Sequence, residues 1–142
     1  MTATLERAIE IAAKAHAGQV DKAGAPYVLH PLRVMQAVTT PEQRIVAVLH
    51  DVVEDTDITF ADLEAEGFTP DIVAAVRALT KEPGESRTDA AHRAVRHPIA
   101  RLVKLADVND NMDLSRISHP TARDYARVEE YAQVKALLTA GG

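Results

Sequence analysis

PEQRIVAVLHDVVEDT, residues 41–56, is the stretch on which the fold turns. Its apolar centre, Ile45–Val53, is rich in β-branched residues and reads as a buried strand or a buried helix on pattern alone. Two features favour helix. Ile45, Val48, Leu49 and Val52 recur at helical spacing behind Pro41-Glu42, a proline start. The neighbours also read helical, so a strand here lacks partners.

Upstream, Leu5, Ala8, Ile9, Ala12 and His16 form one apolar stripe opposite Glu6, Arg7, Glu10 and Lys14, with Gly18 as a stop. Residues 18–26, GQVDKAGAP, are a loop. His30-Pro31 then opens a helix with the proline at its first position, and Thr40-Pro41 ends it. Downstream, Thr59-Phe-Ala-Asp62 resembles a capping box, Gly67 closes that helix and Thr69-Pro70 starts the next. Residues 81–88 read as a polar loop, His97-Pro98 as a helix start, and residues 121–138 as the last helix, with His119-Pro120 as another start signal. The prediction is an all-α helical bundle, residues 1–142 forming a single domain.

Composition excludes several functions. Sixteen Lys plus Arg against twenty-one Asp plus Glu give a net charge of −5, which disfavours nucleic acid as a partner. No cysteine is present, which removes disulfides, thiolate metal sites and a cysteine nucleophile. Apolar runs are too short to cross a bilayer, and Glu6, Arg7 and Glu10 interrupt what would be a leader's apolar stretch, so a cytoplasmic protein is expected. Oligomeric state has no signal.

The histidines and their acids carry the chemistry. On a helix, His50 and Glu54 share one stripe and Asp51 and Asp55 the next. Buried, such groups cost several kcal/mol unless paired or holding a cation; at a helix end they are merely solvated. His30 stands where a helix start can face a cleft. Asp107 ends the apolar run Leu102-Val-Lys-Leu-Ala, a partner for Lys104 as readily as a ligand, with Asn111 one turn on. Two imidazoles and two carboxylates without thiolate suit Mn²⁺, Fe²⁺ or Zn²⁺, and helical bundles build such sites from facing helices.

Four stretches in order, AHAGQVDKAGAPYVLHPL (15–32), VLHDVVEDT (48–56), LTK (79–81) and LVKLADVNDNM (102–112), resemble the HD-domain metal-dependent phosphohydrolases. Within them the likeness is to the hydrolase domain of RelA/SpoT-type enzymes and to small single-domain alarmone hydrolases. The resemblance implies an HD-domain bundle in which His30, His50, Asp51 and Asp107 hold one divalent ion, usually Mn²⁺. It implies that Glu54 and Asp55 serve the attacking water, that Asn111 belongs to the active site, and that Lys22 pairs with substrate phosphate. The implied reaction removes the 3′-pyrophosphate of guanosine tetra- or pentaphosphate, giving GDP or GTP. Another phosphorylated nucleotide or cofactor is the alternative substrate, and a non-catalytic nucleotide sensor a third reading that the intact Glu54-Asp55 pair opposes.

Two departures bear on substrate. Asp21-Lys22 stands where many members have Arg-Lys, and the family's Leu-Ala-Asp-Arg-Leu-His-Asn-Met-Arg is here LADVNDNMD (105–113), with Val108 and Asp113 at basic positions. Asp21 is expected to repel phosphate. The remaining histidines, His16, His92, His97 and His119, read as core, cleft-wall or helix-start residues, and Lys81 and Arg87 as loop cations.

Overall fold

A computed structural model describes residues 3–140. Its described residues form nine helices and no strand; Val20 and Pro26 make one isolated antiparallel bridge. The helices are α1 (Leu5–Ala15), α2 (Leu29–Gln36), α3 (Pro41–Leu49), α4 (Val52–Asp55) and α5 (Phe60–Ala65). Then follow α6 (Pro70–Leu79), α7 (Arg87–Val95), α8 (Pro98–Asn111) and α9 (Ala122–Ala140).

α3 is the axis, packed against α1, α2, α6 and α8. All five residues of Ile45–Leu49 are buried, which explains their uninterrupted hydrophobicity: a helix covered on every side needs no polar face. Thr40 accepts from Gln43 N–H while the Gln43 side chain returns to the Thr40 backbone, and Pro41 occupies the first turn. Thr59 and Asp62 make the same reciprocal box at α5, and Thr4, Thr69 and His97 cap α1, α6 and α8. Gly67, at φ +96, ends α5 in the left-handed conformation that a side chain disfavours.

Four expectations are corrected. The helix through residues 45–55 is broken at His50-Asp51, where Asp51 has φ −108 and ψ −2, so the continuous His50–Glu54 stripe does not form. α2 begins at Leu29, which makes Pro31 its third residue rather than its first. α7 was invisible in the pattern: it starts behind Ser86, whose hydroxyl accepts from Asp89 N–H, inside the stretch read as loop. α9 is capped by Thr121, bonded reciprocally to Asp124, and His119 lies in the turn before it.

Two apolar clusters result. The larger unites buried faces of α1, α2, α3, α5, α6 and α8; the smaller contains Ala91, Val108, Val134 and Leu138, where α7, α8 and α9 meet. The cleft between them holds the polar residues singled out by the sequence. No helix among the described residues is long and apolar enough to cross a membrane.

Candidate metal centre and active-site cavity

The break after α3 matters because consecutive helical residues point about 100° apart. Leaving the helix at His50 lets both His50 and Asp51 turn to one centre, with His50 Nε2 3.0 Å from Asp51 Oδ2. α2 delivers His30 and α8 delivers Asp107 to the same place. Asp107 Oδ1 lies 2.9 Å from His30 Nε2 and 3.3 Å from His50 Nε2, and ligand atoms of these three residues lie within 4.8 Å of one another. Asp51 Oδ2 is 3.9 Å from His30 Nε2 and accepts a hydrogen bond from the Tyr27 hydroxyl. His30, His50 and Asp107 are buried.

Each histidine has its outer nitrogen occupied. His50 Nδ1–H donates to the Ala47 carbonyl at 2.6 Å, which leaves Nε2 as the lone-pair nitrogen. That Nε2 is buried and has no hydrogen-bond partner of acceptable geometry. His30 Nδ1 meets Asp110 Oδ2 at 2.6 Å. Asp107 divides its oxygens: Oδ2 takes Lys104 Nζ at 3.0 Å, while Oδ1 faces the histidines and accepts from Asn111 Nδ2 at 3.1 Å.

Charge in the centre calls for a cation. Burial works against the charged form of His50, yet Asp51 and Asp107 outweigh it and raise its proton affinity well above the ordinary value. Burial likewise opposes ionisation of Asp107, but Lys104 and His50 hold it well below the usual carboxylate range. A divalent ion answers the same demand as that proton. Donor spacings near 3 Å suit neighbouring ligands with bonds of about 2.1 Å, and the donor set is nitrogen and oxygen only. The residues fit a metal.

A cavity of about 580 Å³ opens over the centre. Asp55 stands on its wall; burial, then Asp51 and Glu54, push its carboxyl up to about 6. Glu54 Oε1 accepts from the Lys81 N–H at 2.8 Å, which ties α4 to the loop after α6. Lys22 and Lys81 face the cavity on this side, Arg87 and Arg127 on the other, and Arg87 lies 4.8 Å over the Tyr131 ring.

The structure amends the reading of Asp21. Its Oδ1 accepts from Ala23 N–H and Ala25 N–H at 2.9 and 3.0 Å, so it builds the turn that presents Lys22. Asp113 similarly accepts from Ser115 N–H at 2.9 Å and holds Arg116 at 3.1 Å, which brings a guanidinium to the cavity edge three residues beyond the missing one. Val108 belongs to the smaller apolar cluster and borders the cavity, so this position offers apolar surface in place of a charge.

Three participants escaped the sequence reading. Tyr27 donates to Asp51 and packs between His16 and His30, at 5.0 and 5.8 Å; its scarcity as an aromatic beside the His30 motif was the available signal. Asp110 lies three residues after Asp107, an acid repeated at helical spacing. Arg33 grips Asp110 with Nε–Oδ1 at 2.8 Å and Nη2–Oδ2 at 3.1 Å.

The model of the HD domain family matches residues 8–140. The chain belongs to the HD-domain family. Among HD-domain relatives, the guanosine-3′,5′-bis(diphosphate) 3′-pyrophosphohydrolase MESH1 of Danio rerio is 33% identical, the match covering 99% of this chain and 84% of that one. MESH1 of Drosophila melanogaster is also 33% identical, over 78% of this chain and 68% of its own. A solved structure of a metazoan ortholog of SpoT that hydrolyzes ppGpp superposes with a TM-score of 0.81 at 29% identity, covering 98% of this HD-domain chain and 87% of the other.

Proposed function

We propose that residues 1–142 form one cytoplasmic phosphohydrolase domain that removes the 3′-pyrophosphate of guanosine tetra- or pentaphosphate with a single Mn²⁺. The observation that carries this reading is the convergence of His30 Nε2, His50 Nε2 and Asp107 Oδ1 at the floor of a cavity large enough for a nucleotide. The named activity of the MESH1 relatives supports the choice of substrate.

His30, His50, Asp51 and Asp107 would hold the ion, which supplies charge neutralisation for a phosphate and a more acidic water. The chain's own groups do the rest. Asp55, with a carboxyl pushed up to about 6, accepts a proton near neutral pH, where a base of matched affinity works best. Glu54 adds negative charge beside it and fixes the Lys81 loop through the Lys81 N–H. Lys22 and Lys81 meet phosphate as point charges, and Asn111 keeps Asp107 Oδ1 in place.

Asp21 and Asp113 keep another phosphorylated nucleotide as the second reading, since both put carboxylates on the cavity edge. Product analysis of Mn²⁺-loaded protein against a nucleotide panel separates the two. GDP and pyrophosphate from guanosine tetraphosphate are expected. Protein that leaves this compound intact and hydrolyses another nucleotide establishes the second reading.

A further inference from the structure

The two histidines of the centre are oriented by different means. His50 gives its Nδ1 proton to a peptide carbonyl, Ala47, which can only accept. His30 lies between two carboxylates, Asp107 Oδ1 at 2.9 Å from Nε2 and Asp110 Oδ2 at 2.6 Å from Nδ1. A neutral imidazole has one N–H to give. Given to Asp107, it blocks the nitrogen that faces the centre; given to Asp110, it frees that nitrogen.

We propose that Asp110, clamped by Arg33, is the positioning residue that keeps the His30 proton on Nδ1 and so makes Nε2 available to the metal. This rests on the reading of His30 as a metal ligand and is independent of which nucleotide is hydrolysed. Asp110 is well placed for the role. Arg33 donates to both of its oxygens, at 2.8 and 3.1 Å, and Arg116 Nη2 adds a contact to Oδ1 at 3.4 Å and one to the Asp110 carbonyl at 3.1 Å. These donors fix the plane of the carboxylate, and Oδ2 remains directed at His30 Nδ1 at the shortest of its distances. Arg33 lies on α2, one turn after His30, so a single helix supplies both the ring and the clamp on its acceptor. A carboxylate behind a ligating imidazole also raises the basicity of the ring, and loss of such a group typically weakens metal binding 10–100-fold.

The amide in Asp110→Asn distinguishes this role from simple packing. Arg33 demands an acceptor, so the single amide oxygen turns to the guanidinium and the NH₂ turns to His30 Nδ1. That moves the imidazole proton to Nε2. The expected result is folded protein, by circular dichroism, whose Mn²⁺ affinity in calorimetric titration falls about 10–100-fold. At saturating Mn²⁺ the turnover recovers while KM stays unchanged. Adding Arg33→Met to Asp110→Asn removes the demand, lets the amide oxygen accept from Nδ1–H, and is expected to restore part of the affinity. A second measurement needs no variant: in wild-type protein loaded with diamagnetic Zn²⁺, long-range ¹H–¹⁵N spectra should show His30 bound through Nε2 with a slowly exchanging proton on Nδ1. Coordination through Nδ1, or folded Asp110→Asn protein with wild-type affinity, overturns the role of Asp110 alone. Wild-type protein that takes up neither ion overturns the metal centre itself.

Discussion

The opposite walls of the cavity differ in what stands behind them. His30 and His50 are mounted on α2 and the end of α3, backed by the large cluster that contains Val34, Val46, Val48 and Leu49. Across the cleft, Arg127 and Tyr131 ride on α9, a helix of 19 residues of which only Val134 and Leu138 are buried among those described. Asp107 belongs to α8, which packs against both α3 and α9. The contrast predicts different duties for the walls: fixed ligand geometry on one side, adjustable contact with a substrate on the other. Local stability generally follows buried apolar contact in this way.

The largest effect should come from the fixed wall. Asp107→Ala removes the oxygen that both histidines face, and we expect loss of metal binding by calorimetry together with loss of turnover. Glu54→Gln with Asp55→Asn, on the same wall, should keep the metal and lose at least about a hundredfold in turnover, the lower range of general-base effects. Stoichiometric metal in Asp107→Ala protein would erase the proposed division between ligands and water-activating acids.

A smaller effect is expected across the cleft. Leu138→Ala empties part of a cluster with four buried members and should cost about 2–5 kcal/mol in chemical unfolding. Because the loss falls behind α9, KM should rise while Mn²⁺ affinity stays as in wild type. Equal losses of metal and substrate affinity would show that the walls act as one body.

The smallest effect lies away from both walls. Arg7 binds Glu66 through two hydrogen bonds, at 2.9 and 2.8 Å, and these hold the Glu66 carboxyl below its ordinary 4.5. A depressed value in the folded state stabilises above the ordinary one and is lost as pH falls through the folded one. Glu66→Gln should therefore melt slightly lower than wild type at pH 7, by an amount limited by solvent exposure, and the two melting curves should converge in acid.

Legibility in the sequence followed the range of the interactions. Capping residues and proline starts act within one turn, so α3, α5, α6 and α8 were readable from Pro41, Thr59, Thr69-Pro70 and His97-Pro98, while α1 was readable from its apolar stripe and its Thr4 cap was not. α7 was not, because RTDAAHRAV buries only Ala91 and Ala94 and offers no strong apolar stripe. Residue type and order pointed to His30, His50 and Asp107, and the structure brings them together. The part of Asp110 was hidden because its partner His30 is 80 residues away along the chain. Asp21 was readable as a charge but not as a turn, since its acceptor role depends on the backbone direction at Ala23 and Ala25.

The contact between His30 and Asp107 spans 77 residues of chain. In polymer terms, an ion held by both ends closes a loop of that length, in a protein with no cysteine to make such a link covalently. Ring closure costs entropy that grows only with the logarithm of length, so the folded chain, which has already met that cost, binds the ion on terms the open chain cannot match. The ion would then act as a reversible staple across α2 and α8, one that holds the folded chain while it is bound and that a chelator withdraws with every covalent bond left intact.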